Sequence, residues 1–159
     1  AAAEAFNSPE NKALFERMGV FTAAEVDARQ ECFLENYVSC LETEAACMIQ
    51  MVKQGVEPAL STDLATHTSK QESKRWSDRV YAYEAISDSV DALEAATGAA
   101  EAVEELLSKA QMFRDCVKPA MAELRTLVDA AELLCQKSVW PYPDYAECTF
   151  GHHMNPALK

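Results

Sequence analysis

The sequence predicts an all-α fold: an elongated antiparallel bundle of three long helices, with a short N-terminal helix and an extended Trp-Pro-x-Pro strap at the C-terminal end. Three observations predict it. The 159 residues hold only four Gly and six Pro, too few turns for a sandwich or barrel, which breaks every ten residues or so. Apolar residues make up 49% of the chain, ordinary for a globular domain and too rich for a disordered one. Long stretches repeat apolar residues every three or four positions, the period of one helix face. One domain is expected over residues 1–150, with a tail over 151–159.

Ser8-Pro9-Glu10 reads as a helix start: a Ser cap, Pro at the first helical position and an acid in the first turn. This helix stops near Gly19. Thr22-Ala23-Ala24-Glu25 is a capping box, in which Thr22 and Glu25 satisfy each other's backbone N–H. It opens a second helix expected to reach Gln54, with Gly55 as its stop. About 32 residues at 1.5 Å each make a rod of roughly 48 Å. Val26, Phe33, Tyr37, Cys40, Cys47 and Met51 are taken as its inward stripe, with Leu34, Leu41 and Met48 as a second, adjacent one. Two stripes suit a helix with two neighbours.

A third helix is expected from Leu60 to Ala96, with polar, weakly periodic first turns and a clear later stripe of Trp76, Val80, Tyr83, Ile86, Val90 and Leu93. Thr97-Gly98 is read as its end. The fourth pattern is the strongest: Leu106, Ala110, Phe113, Val117, Met121, Leu124, Val128, Ala131 and Cys135. Pro119 lies inside it, removes a donor and crowds the preceding turn, so a kink is expected between Asp115 and Pro119. Val139-Trp140-Pro141-Tyr142-Pro143 must be extended, because each Pro restricts its predecessor. Trp140 and Tyr142 are expected to pin this strap to the helices, and Tyr145 to Phe150 to form a last turn.

Charge excludes several functions. Twenty-six acids against 14 bases give a net charge of −12. Phosphate repels such a chain, so nucleic acid is not an expected partner, nor is an anionic lipid surface. No apolar run approaches the roughly 18 residues of a membrane span. The chain begins Ala1-Ala2-Ala3-Glu4 without Met, as a processed protein or a piece of a longer one would. The six Cys include no C-x-x-C pair, so no zinc or redox motif is expected. Cys32, Cys40 and Cys47 lie too far apart along one helix to pair with one another. Reduced, buried thiols are expected, hence a reducing compartment: plastid stroma or cytoplasm.

Candidate chemistry is sparse. His152 and His153 lie near Cys148 and Met154, but adjacent His on a tail do not readily converge on one ion. His67 reads as a solvated side chain. Glu42 with Glu44, Glu101 with Glu104 and Glu105, and Glu123 with Asp129 read mainly as solvated acids, and no Glu-x-x-His of di-iron bundles occurs. Glu44, on the assumed inward line, is expected to meet an Arg or Tyr of another helix. No G-x-S-x-G and no Gly-rich phosphate loop is present. No catalytic residue, metal ligand or cofactor is therefore assigned, and no enzyme activity is expected of this chain. Trp76, Tyr81, Tyr83 and Phe113 could line a site for a small molecule or pigment between helices; a core role is favoured.

Two stretches are familiar. One is Met18-Gly19-Val20-Phe21-Thr22-x-x-Glu25-Val26-x-x-Arg29, continuing through Leu34-Glu35-Asn36-Tyr37-Val38 to Glu42-x-Glu44. The other is Phe113-Arg114-Asp115-x-Val117-x-Pro119-Ala120-Met121-x-Glu123-Leu124-Arg125, then Asp129-x-x-Glu132-Leu133-Leu134 and Trp140-Pro141-x-Pro143-x-Tyr145-x-Glu147-x-x-Phe150. Together they resemble the C-terminal helical domain of type III glutamine synthetases, from about Phe15 to Phe150 with a weaker middle. The resemblance implies a structural appendage, because the family's glutamate, ammonia and ATP sites lie upstream of this region. The expectation is a non-catalytic linker or scaffold that contacts protein subunits of a larger assembly. One concrete version is a stromal subunit peripheral to a membrane-bound photosynthetic complex. The alternative is a fragment of a full type III glutamine synthetase, an ATP-dependent glutamate–ammonia ligase, without its active site.

Overall fold

The computed structural model describes residues 2–67, 73–143 and 147–149. All regular structure among them is helical. The helices are α1 (Ala2–Phe6), α2 (Pro9–Arg17), α3 (Ala23–Met51), α4 (Glu57–Thr66), α5 (Lys74–Glu101), α6 (Leu106–Met112) and α7 (Lys118–Glu132). Wide π-helical turns over Val52–Val56 and Phe113–Val117 join α3 to α4 and α6 to α7 without a loop. The chain groups into two compact units, residues 1–47 with 93–121 and residues 48–92 with 122–159.

Local chemistry sets the first boundaries as the sequence reads. Ser8 is extended (φ −69°, ψ 150°) and its hydroxyl accepts from the Asn11 N–H, with Pro9 next where no donor is needed. Gly19 takes the left-handed conformation (φ 65°). Its N–H donates to Glu16 O, and that of Val20 to Phe15 O, a Schellman closure of α2. The Thr22 N–H donates to Glu25 Oε2 at 2.7 Å, and the Glu25 N–H returns to Thr22 Oγ1 at 3.3 Å. These two bonds complete the capping box.

Four expectations are corrected. Gly55 does not stop the second helix; it sits inside the first π turn. A Cβ there would lie 2.8 Å from Tyr142 Cζ, so the glycine makes room for a ring. The long third helix is two: α4 ends at Thr66, where His67 leaves helical geometry (φ −105°, ψ 12°). The Thr66 hydroxyl and His67 Nδ1 both meet the Asp63 carbonyl, closing the end with side chains. Thr97-Gly98 does not end α5, which runs on to Glu101. The Thr97 hydroxyl is satisfied within the helix, donating to Leu93 O at 2.8 Å. The flanking alanines are strong helix formers that outweigh one glycine. Finally, α3 buries Val26 of the first stripe, Leu41 of the second, and Val38 and Ala45, which neither stripe included. Phe33, Cys40 and Cys47 of the first stripe are exposed.

Both π turns stand two residues ahead of a proline, Pro58 and Pro119. Proline has no N–H, and its ring would strike the carbonyl four residues back. In each case the residue before proline reaches one residue further than in an α-helix: Glu57 N–H to Val52 O and Lys118 N–H to Phe113 O. The kink expected near Asp115 to Pro119 takes this form.

In the first unit, Phe113, Leu93, Val117 and Val26 are fully buried. In the second, Leu60, Ile86, Val90, Val56 and Leu124 are. These include Ile86, Val90 and Leu93 of the later α5 stripe, whose Trp76, Val80 and Tyr83 are half-buried, and Phe113, Val117 and Leu124 of the fourth pattern. The region after α7 has no regular structure up to Pro143, and Glu147–Thr149 is helical. Tyr142 is anchored: its hydroxyl donates to Met51 O at 2.8 Å. Tyr145, Phe150 and the 151–159 tail, with His152, His153 and Met154, lie outside the described residues.

Candidate functional site

In the first unit, four phenylalanines make a chain of ring contacts. Phe33 meets Phe6 at 5.8 Å between centroids, Phe6 meets Phe15 at 5.6 Å, and Phe15 meets Phe21 at 5.7 Å. Arg29 lies over the far end, 4.3 Å from the Phe21 centroid, a cation–π contact. Apolar contact thus lays α1 and α2 along the start of α3. Polar bonds fix their register. Gln30 donates to Ala3 O at 2.9 Å and Asn7 to Gln30 Oε1. Lys12 pairs with Asp27 at 2.6 Å, and this bond holds the Asp27 carboxyl below the usual carboxylate range. Gln111 of α6 reaches Glu4 at 3.1 Å.

Between α1, α3 and α6 this arrangement leaves an open, mainly apolar groove of about 680 Å³. Phe6, Phe33, Leu34 and Leu107 line its walls, Ala110 its floor, and Tyr37, Gln111 and Arg114 its polar edge. Its volume lies within the range of ligand and anchor pockets. Arg114 binds Asp115 through both oxygens, at 2.6 and 2.7 Å. That pairing raises the guanidinium's pKa and holds the Asp115 carboxyl low. Phe33 is 55% exposed at the rim.

The second unit holds a buried ion pair. Asp63 Oδ2 accepts from Arg79 Nε at 2.6 Å, with the two side chains 1% and 14% exposed. Asp63 Oδ1 accepts from the Gln136 N–H at 3.1 Å. Arg79 also donates to Leu134 O at 2.6 Å and Arg75 O at 3.0 Å. One carboxylate and one guanidinium therefore join α4, α5 and the turn after α7. All partners are internal, so the cluster is a structural clamp.

Among the described residues, those singled out in the sequence do not converge. Glu44 is exposed rather than packed against an Arg or Tyr, because the inward line of α3 lies elsewhere; Asp63 is the buried acid. Glu105 caps α6, accepting from the Leu107 and Ser108 N–H groups at 3.1 and 2.6 Å. The bond from Ser108 leads the lowering of its carboxyl pKa. His67 closes α4. Phe113 is core, whereas Tyr81 is 71% exposed. Among the described residues no group of His, Cys, Asp and Glu converges as a metal site, and no helix is long and apolar enough to cross a membrane. Cys135 is buried, and burial pushes its thiol pKa up. The other five Cys are free and exposed, against the expectation of buried thiols. Sequence reasoning missed the groove because α1 carries no cap signal. It missed the clamp because Asp63 and Arg79 share no periodic stripe.

The family described as glutamine synthetase C-terminal domain matches residues 1–73. A glutamine synthetase from Butyrivibrio fibrisolvens is 29% identical over 158 residues, covering 91% of this chain and 23% of the relative. A type-3 glutamine synthetase from Dictyostelium discoideum is 25% identical over 162 residues, covering 91% of this chain and 22% of the relative. The chain therefore spans less than a quarter of the length of these curated relatives, within their C-terminal part. Along most of its length, the chain is thus similar to part of two glutamine synthetases, and over residues 1–73 to the glutamine synthetase C-terminal domain.

Proposed function

We propose that this chain is a non-catalytic helical module that works by contact with other protein subunits, as a linker or scaffold in a larger assembly. The observation that carries the reading is the extent of the match. Nearly all of this chain aligns with under a quarter of each relative, and the buried Asp63–Arg79 pair among the described residues is taken up by internal partners. The expected single domain, antiparallel three-helix arrangement and C-terminal strap belong to this proposal. So does a stromal position at the edge of a photosynthetic complex, with the cytoplasm as the other compartment; cell fractionation tests it.

A second reading has its own support. Identity of 29% and 25% spread over 91% of the chain also suits a structural part of a complete glutamate–ammonia ligase. Mild isolation from the native source separates the two. A polypeptide near 17.5 kDa that copurifies stoichiometrically with other subunits supports the module. A much longer polypeptide with glutamine synthetase activity overturns it.

A further inference from the structure

We infer that residues 139–143 form a latch that opens and closes on the second unit while its helices stay folded, with the Tyr142 phenol as the part that engages. The inference goes beyond the proposed function and stands whichever of its two readings holds.

The seat comes first. Tyr142 Oη donates to Met51 O, at the end of α3, at 2.8 Å. The ring lies where a side chain at residue 55 would be: a Cβ on Gly55 would stand 2.4 Å from Oη, 2.8 Å from Cζ and 3.0 Å from Cε2. Gly55 belongs to the π turn that precedes Pro58, and that turn answers the missing N–H of the proline. The seat is therefore built by the helical rod itself and persists when the ring departs.

The hold on the segment is thin. Pro141 and Pro143 flank the tyrosine and bring no backbone N–H. Val139, Trp140 and Tyr142 are half-buried, and no residue from 136 to 143 is buried. In the same unit Leu60, Ile86, Val90 and Leu124 are fully buried. The bond from Tyr142 to Met51 is exposed, so water takes both of its ends when it breaks. Segments with few buried contacts and exposed bonds open at a fraction of the cost of global unfolding. Upstream, the Asp63 carboxylate holds the Gln136 N–H at 3.1 Å, so the opening begins beyond that point.

Proteolysis of the folded chain reads the opening. The full chain is digested with thermolysin at a series of urea concentrations below its unfolding midpoint, and the cut before Val139 is followed by mass spectrometry. The cut is expected without urea and should change little as urea rises, because a short opening exposes little surface. Tyr142→Phe keeps the ring and removes the donor. It should speed the cut about two- to tenfold, the worth of one hydrogen bond, with an unchanged helical circular dichroism spectrum. Gly55→Ala fills the seat and should speed the cut further. Adding Tyr142→Phe to Gly55→Ala should then change little, because the hydroxyl has already left Met51.

A cut that rises with urea as steeply as global unfolding overturns the latch, because the segment then leaves only with the helices. Equal rates for the native chain and Tyr142→Phe overturn the phenol as the engaging part. So does a full Tyr142→Phe effect in the Gly55→Ala background.

Discussion

Arg79→Met should be among the most damaging single changes in the second unit. It removes the guanidinium from Asp63, whose side chain is 1% exposed, and takes away the donor to Leu134 O. The carboxylate then keeps the hydrogen bond from the Gln136 N–H. Breaking one side of a buried pair costs about 3–5 kcal/mol, because the remaining charge stays buried without its guanidinium partner. For a chain of this size each kcal/mol moves Tm by about 2–4 °C, so the midpoint should fall by about 6–20 °C. Thermal unfolding monitored by circular dichroism measures it. The double variant Asp63→Leu/Arg79→Met should lose much less than the sum of the two single changes, since an apolar pair leaves no stranded charge. A loss below about 1 kcal/mol for Arg79→Met, or strict additivity in the cycle, would refute the clamp as an energetic unit.

Four further outcomes are expected. Gly55→Ala should destabilise the native chain because its Cβ displaces the Tyr142 ring, yet stabilise a Tyr142→Ala background by about 1 kcal/mol through helix propensity; denaturant midpoints read the change of sign. Leu124→Ala, at a fully buried position, should cost about 2–5 kcal/mol in urea unfolding. Glu25 has its pKa lowered from 4.5, first by the Thr22 backbone N–H and then by the Thr22 hydroxyl. Its contribution is therefore full above the unfolded-state pKa and is lost as pH falls through the lower folded value; Glu25→Gln should flatten the acid limb of the Tm–pH curve. Five thiols should react quickly with Ellman's reagent, and Cys135 slowly until the chain unfolds.

The legible parts of this fold are those where one short signal decides one local structure. Ser8-Pro9, Gly19 and the Thr22–Glu25 box set their boundaries through bonds spanning few residues. The line from Ala110 through Phe113, Val117 and Leu124 to Ala131 declared its buried face because no rival line of equal strength runs beside it. On α3 two apolar lines lie about 100° apart, and periodicity alone does not choose between Phe33-Cys40-Cys47 and Leu34-Leu41. Packing buried Leu41 with Val26, Val38 and Ala45 and left Phe33, Cys40 and Cys47 exposed. Gly55 and Gly98 were read as punctuation, but one answers a ring from far along the chain and the other is outweighed by its alanine neighbours. The groove and the Asp63 clamp depend on contacts between distant segments, for which the sequence carries no local mark.

The two π turns set the direction in which the helices beyond them face. Each adds one residue to a single helical turn, a step of about 100° in the direction later side chains point. A rod interrupted in this way presents apolar lines in two directions without an exposed loop, and the proline that forces the step is absorbed at the same place. Deleting Gln54 or Asp115 would cancel the step while keeping the proline. Everything downstream on that rod would rotate, so a one-residue change there acts as a change of phase rather than of length.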